Sequence, residues 1–166
     1  MTATLTDRAL NRATLTRQML LERSGRTIPE ATEFLLGLQG QVSEGPYQGL
    51  WSRLQDFRHA DMTALILDRT LVRATSMRAT LHLHTAVDLL GLREFVQPVV
   101  ERNWQGAFGK RRFGANDKEQ VRRAGVKLLD ERPMTSGELG KALQQQFPEG
   151  EPLAKAVLMQ VLETLV

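Results

Sequence analysis

Leu71-Val72-Arg73-Ala74-Thr75-Ser76 and Thr80-Leu81-His82-Leu83-His84 are the two runs on which the fold of this 166-residue chain turns. Both are short, rich in β-friendly residues and partly alternating, and only Met77, Arg78 and Ala79 separate them. They predict the two strands of a tight hairpin. The residues before them follow a different period. Leu15, Met19, Leu20 and Leu21 recur at helical spacing as far as Ser24-Gly25. Thr27-Ile28-Pro29-Glu30 has the form of a capping box: the threonine caps, the glutamate reaches back, and proline is tolerated in the first turn. The helix it opens is expected to bury Ala31, Phe34, Leu35 and Leu38 and to stop near Gly37 to Gly40. Pro46 permits another start, carrying Leu50, Trp51 and Leu54, and a short helix from about Asp61 to Asp68 presents Met62, Leu65 and Ile66.

Three helices followed by a hairpin is the order of a winged helix, a variant of the helix-turn-helix plan for binding DNA. After the hairpin, Thr85-Ala86-Val87-Asp88 caps a long helix through Phe95 and Val96, which Pro98 is expected to kink or interrupt before Trp104. Residues 106–115, with Lys110-Arg111-Arg112 inside them, read as a basic linker. Asn116-Asp117 then caps a helix with Val121, Ala124, Leu128 and Leu129 on one face, and Pro133-Met134-Thr135-Ser136 leads into another with Leu139, Ala142 and Leu143. Residues 147–152 read as a turn and Leu153 to Val166 as a final helix. The expectation is a mainly α chain with a small β-hairpin (α+β), arranged as tandem winged helix-turn-helix domains. The first occupies 1–105 with its following long helix, and the second, 116–166, is incomplete because no hairpin follows. An uncovered apolar face on the second domain implies either a longer native chain or pairing with another subunit.

Composition narrows the chemistry. The net charge is +3 from 22 basic and 19 acidic residues, a mild excess that permits nucleic-acid binding without demanding it. The absence of cysteine excludes thiolate catalysis, disulfides and cysteine-ligated zinc. No apolar run is long enough to span a membrane, and Met1-Thr2-Ala3-Thr4-Leu5 lacks the form of a signal peptide. The expectation is a soluble cytoplasmic protein. A glycine-rich phosphate loop, a nucleophile motif and a convincing carboxylate pair are all missing, so no cofactor is implied. His82 and His84 alternate on one strand, but no carboxylate cluster accompanies them to complete a metal site.

The candidate reactive element is Leu38-Gln39-Gly40-Gln41, where a helical pattern gives way to a Gly/Pro-rich turn. In an extended chain, side chains two apart point the same way, so the Gln39 and Gln41 amides are able to converge on one small target. An amide offers two donors and an acceptor, yet takes no proton at neutral pH. Such a pair orients a water; it is no strong general base. The bland reading is two polar residues in a surface turn. Arg73 and Arg78 suit phosphate oxygens through their guanidinium forks, with Arg73 alternatively on a solvated strand face. Thr80 and His82 hold the hairpin against the helices or line a DNA groove, and for His82 the structural role is favoured. Tyr47 and Trp51 are able to stack on a base, but the spacing of Trp51 with Leu50 and Leu54 reads as core. Lys110-Arg111-Arg112 and Arg122-Arg123 read as solvated charge, with tracking of a DNA backbone as the functional option.

Four segments carry a family resemblance: Leu10-Asn11-Arg12-Ala13-Thr14-Leu15-Thr16-Arg17-Gln18-Met19-Leu20-Leu21; Gly37-Leu38-Gln39-Gly40-Gln41; Pro46-Tyr47-Gln48-Gly49-Leu50-Trp51-Ser52-Arg53-Leu54; and Leu71 through Leu83. In this order they resemble the bacterial winged-helix DNA glycosylases of the AlkZ and YcaQ type, along essentially the whole chain. The resemblance implies tandem winged helices curved around double-stranded DNA and excision of alkylated purines. It also implies unhooking of crosslinks joined through guanine N7, by a glutamine-x-glutamine or glutamine-x-aspartate motif. That motif maps onto Gln39 and Gln41. Two departures stand out. Gly40 occupies a position that is usually bulkier, which implies a looser turn, and family members run to roughly twice this length.

Overall fold

A computed structural model describes residues 4–108 and 118–148. Among them are seven α-helices and one three-stranded antiparallel sheet. Contacts divide the chain into two compact units, Met1–Val96 and Gln97–Val166.

The first unit opens with α1, Asp7–Arg17, capped by the Thr6 hydroxyl. The helix stops well short of Ser24-Gly25. Met19 adopts φ 54°; its N–H bonds the Thr16 carbonyl and that of Leu20 bonds the Leu15 carbonyl, a closure that ends a helix outright. No residue of α1 is buried, whereas Met19, just past it, is. The capping box at Thr27 forms as expected: Glu30 accepts from the Thr27 backbone N–H at 2.8 Å and its own N–H donates to the Thr27 hydroxyl. It opens α2, Ile28–Phe34. Ala31 and Leu38 are buried, but Phe34 is 50% exposed, with the Arg26 guanidinium 4.7 Å above its ring. The turn at Leu36 (φ 57°) and Gly37 (φ 108°) swings the chain away before Phe34 can pack inward.

That turn delivers a strand which periodicity does not reveal. β1, Leu38–Gln39, pairs antiparallel with β3, Leu81–Thr85, matching Leu38 to Leu83 and Gln39 to His82. On its other side β3 pairs with β2, Leu71–Thr75, in the register Leu71–Thr85, Arg73–Leu83 and Thr75–Leu81. The sheet therefore has three strands in the order β1-β3-β2, not two, with β3 central. Gly37 is required at the entry. A Cβ there would stand 2.5 Å from His84 Nδ1 and 2.8 Å from the Leu83 carbonyl oxygen, at a φ that side chains rarely adopt.

Helices α3, Gly45–Trp51, and α4, His59–Leu67, lie between β1 and β2 in the chain. The core of this unit joins Met19, Ile28, Ala31, Leu38, Leu50, Leu54, Met62, Leu71 and Leu83. Trp51 is not part of it. The ring is 56% exposed, with the Arg23 guanidinium 4.7 Å above it. Leu50 and Leu54 are the residues of this segment buried in that cluster, with Tyr47 packed against it.

Thr85 caps α5, Ala86–Phe108, accepting from the Asp88 N–H at 3.1 Å and donating to its carboxylate at 2.7 Å. Pro98 does not interrupt this helix. The residue is exposed, so the carbonyl one turn earlier that loses its N–H partner can be solvated. Residues 106–108, expected in the linker, are the last residues of α5. The remainder of the expected linker, the Asn116-Asp117 cap and the expected final helix lie outside the described residues.

In the second unit, α6, Lys118–Glu131, and α7, Ser136–Gln146, pack through Val121, Leu139 and Leu143, flanked by Ala124, Leu128, Leu129, Met134 and Phe147. Thr135 and Glu138 form a second capping box. Arg122 and Arg123 both pair with Glu119, and these bonds hold the Glu119 carboxyl down at about 2.

Candidate active site

The Gln39-Gly40-Gln41 segment leaves the sheet at the free end of β1 and is pinned on two sides. The Gly40 N–H donates to the Leu81 carbonyl at 2.7 Å. The Gly40 carbonyl in turn accepts from Arg73 Nε at 2.7 Å, and the Gln41 carbonyl from Arg73 Nη2 at 3.4 Å. The Gln41 side chain itself accepts from the Leu81 N–H through Oε1 at 3.3 Å. A Cβ on Gly40 would meet Arg73 Nε at 3.4 Å and Pro46 Cγ at 3.5 Å. Those are ordinary contact distances; what holds the turn is its bonds to Arg73 on one side and Leu81 on the other.

The two amides are not equivalent. Both residues are exposed, but the Gln41 carbonyl oxygen is engaged by a backbone donor, which fixes the amide with its NH2 outward. A backbone N–H cannot face an NH2 group, so this bond settles the amide's orientation. The Gln39 amide has no hydrogen bond among the described residues and keeps acceptor and donors alike.

β3 brings the hairpin tip to the same end of the sheet. Met77–Ala79 form a single 3-10 turn in which Arg78 (φ 56°) and Ala79 (φ 54°) are both left-handed. Arg78 is exposed at this tip. Thr80 braces it: its carbonyl accepts from the Ser76 N–H at 3.1 Å and lies 3.0 Å from His82 Nδ1. His82 is 3% exposed, a buried histidine with a hydrogen-bond partner. His84 is fully buried, its Nε2 2.6 Å from the Ser76 hydroxyl. Burial first, and then the neighbouring His82 ring 5.7 Å away, push the His84 pKa below the usual imidazole range, against an opposing contribution from the Leu36 backbone.

Tyr47 stacks on His59 with ring centres 4.1 Å apart, and its hydroxyl lies 3.1 Å from the Thr63 hydroxyl. Lys110, Arg111 and Arg112 lie outside the described residues. Among the described residues no three His, Cys, Asp or Glu side chains gather as a metal would need, and no helix is long and apolar enough to cross a membrane. What sequence reasoning missed is the contact of Arg73 with two backbone carbonyls and the use of both the Leu81 N–H and its carbonyl to hold the Gly40-Gln41 segment. Neither leaves a periodic signal.

The chain belongs to the AlkZ-like DNA glycosylase family: that family's model, "DNA glycosylase AlkZ-like", matches residues 32–166. Its architecture is similar to that of Streptomyces sahachiroi DNA glycosylase AlkZ, with a TM-score of 0.66 at 19% identity. The similarity covers 90% of this chain and 42% of that protein, so the chain spans less than half of its length. No curated protein matches the chain in sequence.

Proposed function

We propose that this chain is the catalytic, DNA-binding portion of a monofunctional DNA glycosylase that excises N7-alkylated purines from duplex DNA and unhooks crosslinks joined through guanine N7. The observation that carries the reading is the pinned turn presenting two neutral amides beside the hairpin. Alkylation at N7 makes the purine cationic. Its bond to C1′ therefore breaks without an added proton, the electron pair moving into the imidazolium ring as positive charge develops on the sugar. A water adds its oxygen to C1′ and releases its proton to solvent, leaving free base and abasic sugar. Neutral amides suffice for that task, because it consists of holding the water and the sugar rather than accepting a proton. Gln39, with its acceptor free, orients the water. Gln41, with only its NH2 outward, contacts an oxygen of the lesion nucleotide. Undamaged purines, whose departure needs protonation, are not substrates.

In this reading the first unit is a winged helix with β2 and β3 as its wing, and residues 1–105 form one domain. Arg78 contacts phosphate, and Thr80 and His82 hold the wing. Lys110, Arg111 and Arg112, which follow α5 in the chain, add backbone contacts, while α6 and α7 belong to a second winged helix within 116–166. The test is release of N7-methylguanine from a defined duplex. The chain releases the base, and Gln39→Ala and Gln41→Ala lower the rate without altering the fold. Salt-dependent duplex binding without release, or release unchanged in both variants, refutes the catalytic reading and leaves a DNA-binding module.

A further inference from the structure

We propose that Arg73 is a positioning residue for the Gln39-Gly40-Gln41 turn, acting through two backbone carbonyls, and not a phosphate contact. The inference rests on the reading of that turn as the water-holding element. Arg73 lies on β2, opposite Leu83 of the central strand, and its side chain spans β3 to reach the segment that follows β1. There Nε and Nη2 bond the carbonyls of Gly40 and Gln41. A planar guanidinium bonded to two successive carbonyls fixes the peptide planes relative to each other. Those planes set the directions in which the flanking Gln39 and Gln41 side chains leave the backbone. Gly40 lies directly against the arginine, where a Cβ would stand in ordinary contact with it, 3.4 Å from Nε and 3.6 Å from Cδ. An ammonium is a point charge with no fork, so lysine reproduces the charge of Arg73 without its two-carbonyl geometry.

That difference supplies the test. Arg73→Lys, Arg73→Met and Arg78→Ala are compared on a duplex carrying one N7-methylguanine, reading binding against salt and single-turnover release at saturating protein. Both Arg73 variants are expected to slow release about tenfold or more, with duplex affinity within about twofold and an unchanged salt slope. Arg78→Ala is expected to weaken duplex binding and lower the salt slope by about 1, which neither Arg73 variant does. A lysine variant that keeps the full rate, or a methionine variant that weakens binding and lowers the slope by about 1, overturns the proposal. NMR of the Gly40 and Leu81 backbone amides, which donate to the Leu81 carbonyl and to Gln41 Oε1, gives a readout independent of activity. In Arg73→Lys these signals shift and lose exchange protection within an otherwise native spectrum; if they stay in place the proposal fails. Should the wild-type chain release no base, the glycosylase reading falls, while the NMR comparison still decides the role of Arg73. Should Arg73→Met not fold, the lysine variant carries the test.

Discussion

Substituting Gly37 with alanine sets the geometry of the sheet entry against a measurable stability. Two costs arise together. The backbone φ of 108° lies where a side chain is strained, at about 1–3 kcal/mol. The new methyl would also sit 2.5 Å from His84 Nδ1 and 2.8 Å from the Leu83 carbonyl oxygen, and overpacking of this kind costs about 1–3 kcal/mol. The expected loss is roughly 2–6 kcal/mol, a large share of what a small domain has. With a urea slope of about 1–3 kcal/mol/M, the unfolding midpoint falls by on the order of 1–3 M. The two costs separate in a double-mutant cycle. Removing the His84 ring in His84→Ala leaves the strained φ and the carbonyl contact but takes away the closest clash. The penalty of Gly37→Ala is then smaller by about 1 kcal/mol or more in the His84→Ala background. A midpoint within about 0.3 M of wild type for Gly37→Ala, or penalties equal in both backgrounds, would refute the reasoning.

Two further expectations follow from burial. The His84 pKa is lowered in the folded state, so the unfolded chain binds the extra proton first as pH falls. Stability is full above the ordinary imidazole value of 6.5 and declines as pH drops below it toward the folded value; urea midpoints from pH 8 to 5 will show this, and His84→Gln will flatten the curve. Leu50 is fully buried and its neighbour Trp51 is 56% exposed. Leu50→Ala is therefore expected to cost about 2–5 kcal/mol. Trp51→Ala is expected to cost under about 1 kcal/mol, mainly its contact with Arg23; equal losses in denaturant titrations would place Trp51 in the core after all.

The parts of the fold legible in the sequence are those written in local chemistry. Thr27 with Glu30 announces a helix start, the alternating run from Leu81 to His84 announces a strand, and Leu139 with Leu143 marks a buried face. What was not legible depends on contacts distant in the chain. β1 is two residues long, too short to show a period, and exists because Gly37 lets it approach β3. Trp51 and Phe34 keep helical spacing with core residues, yet each lies one step around the helix from the face that packs, where an arginine covers the ring instead. For the candidate site, the residue types of Gln39 and Gln41 were visible. The partner of each amide was not, because a bond from residue 81 to residue 41 leaves no mark near either.

β3 ties these levels together. Leu83 supplies the core, His84 packs under Gly37, Leu81 bonds Gly40 and Gln41, and its approach through Thr80 braces the tip that carries Arg78. One five-residue strand thus connects the interior, the turn and the hairpin tip. A change that shifts β3 by one residue would reverse which of its side chains face the core, and would at the same time move the Leu81 donor away from Gln41. Stability and the geometry of the turn are therefore coupled through this strand: substitutions at Gly37 or His84, neither of which touches the glutamines directly, are expected to alter the turn, whereas substitutions on the outer faces of α1 or α3 are not.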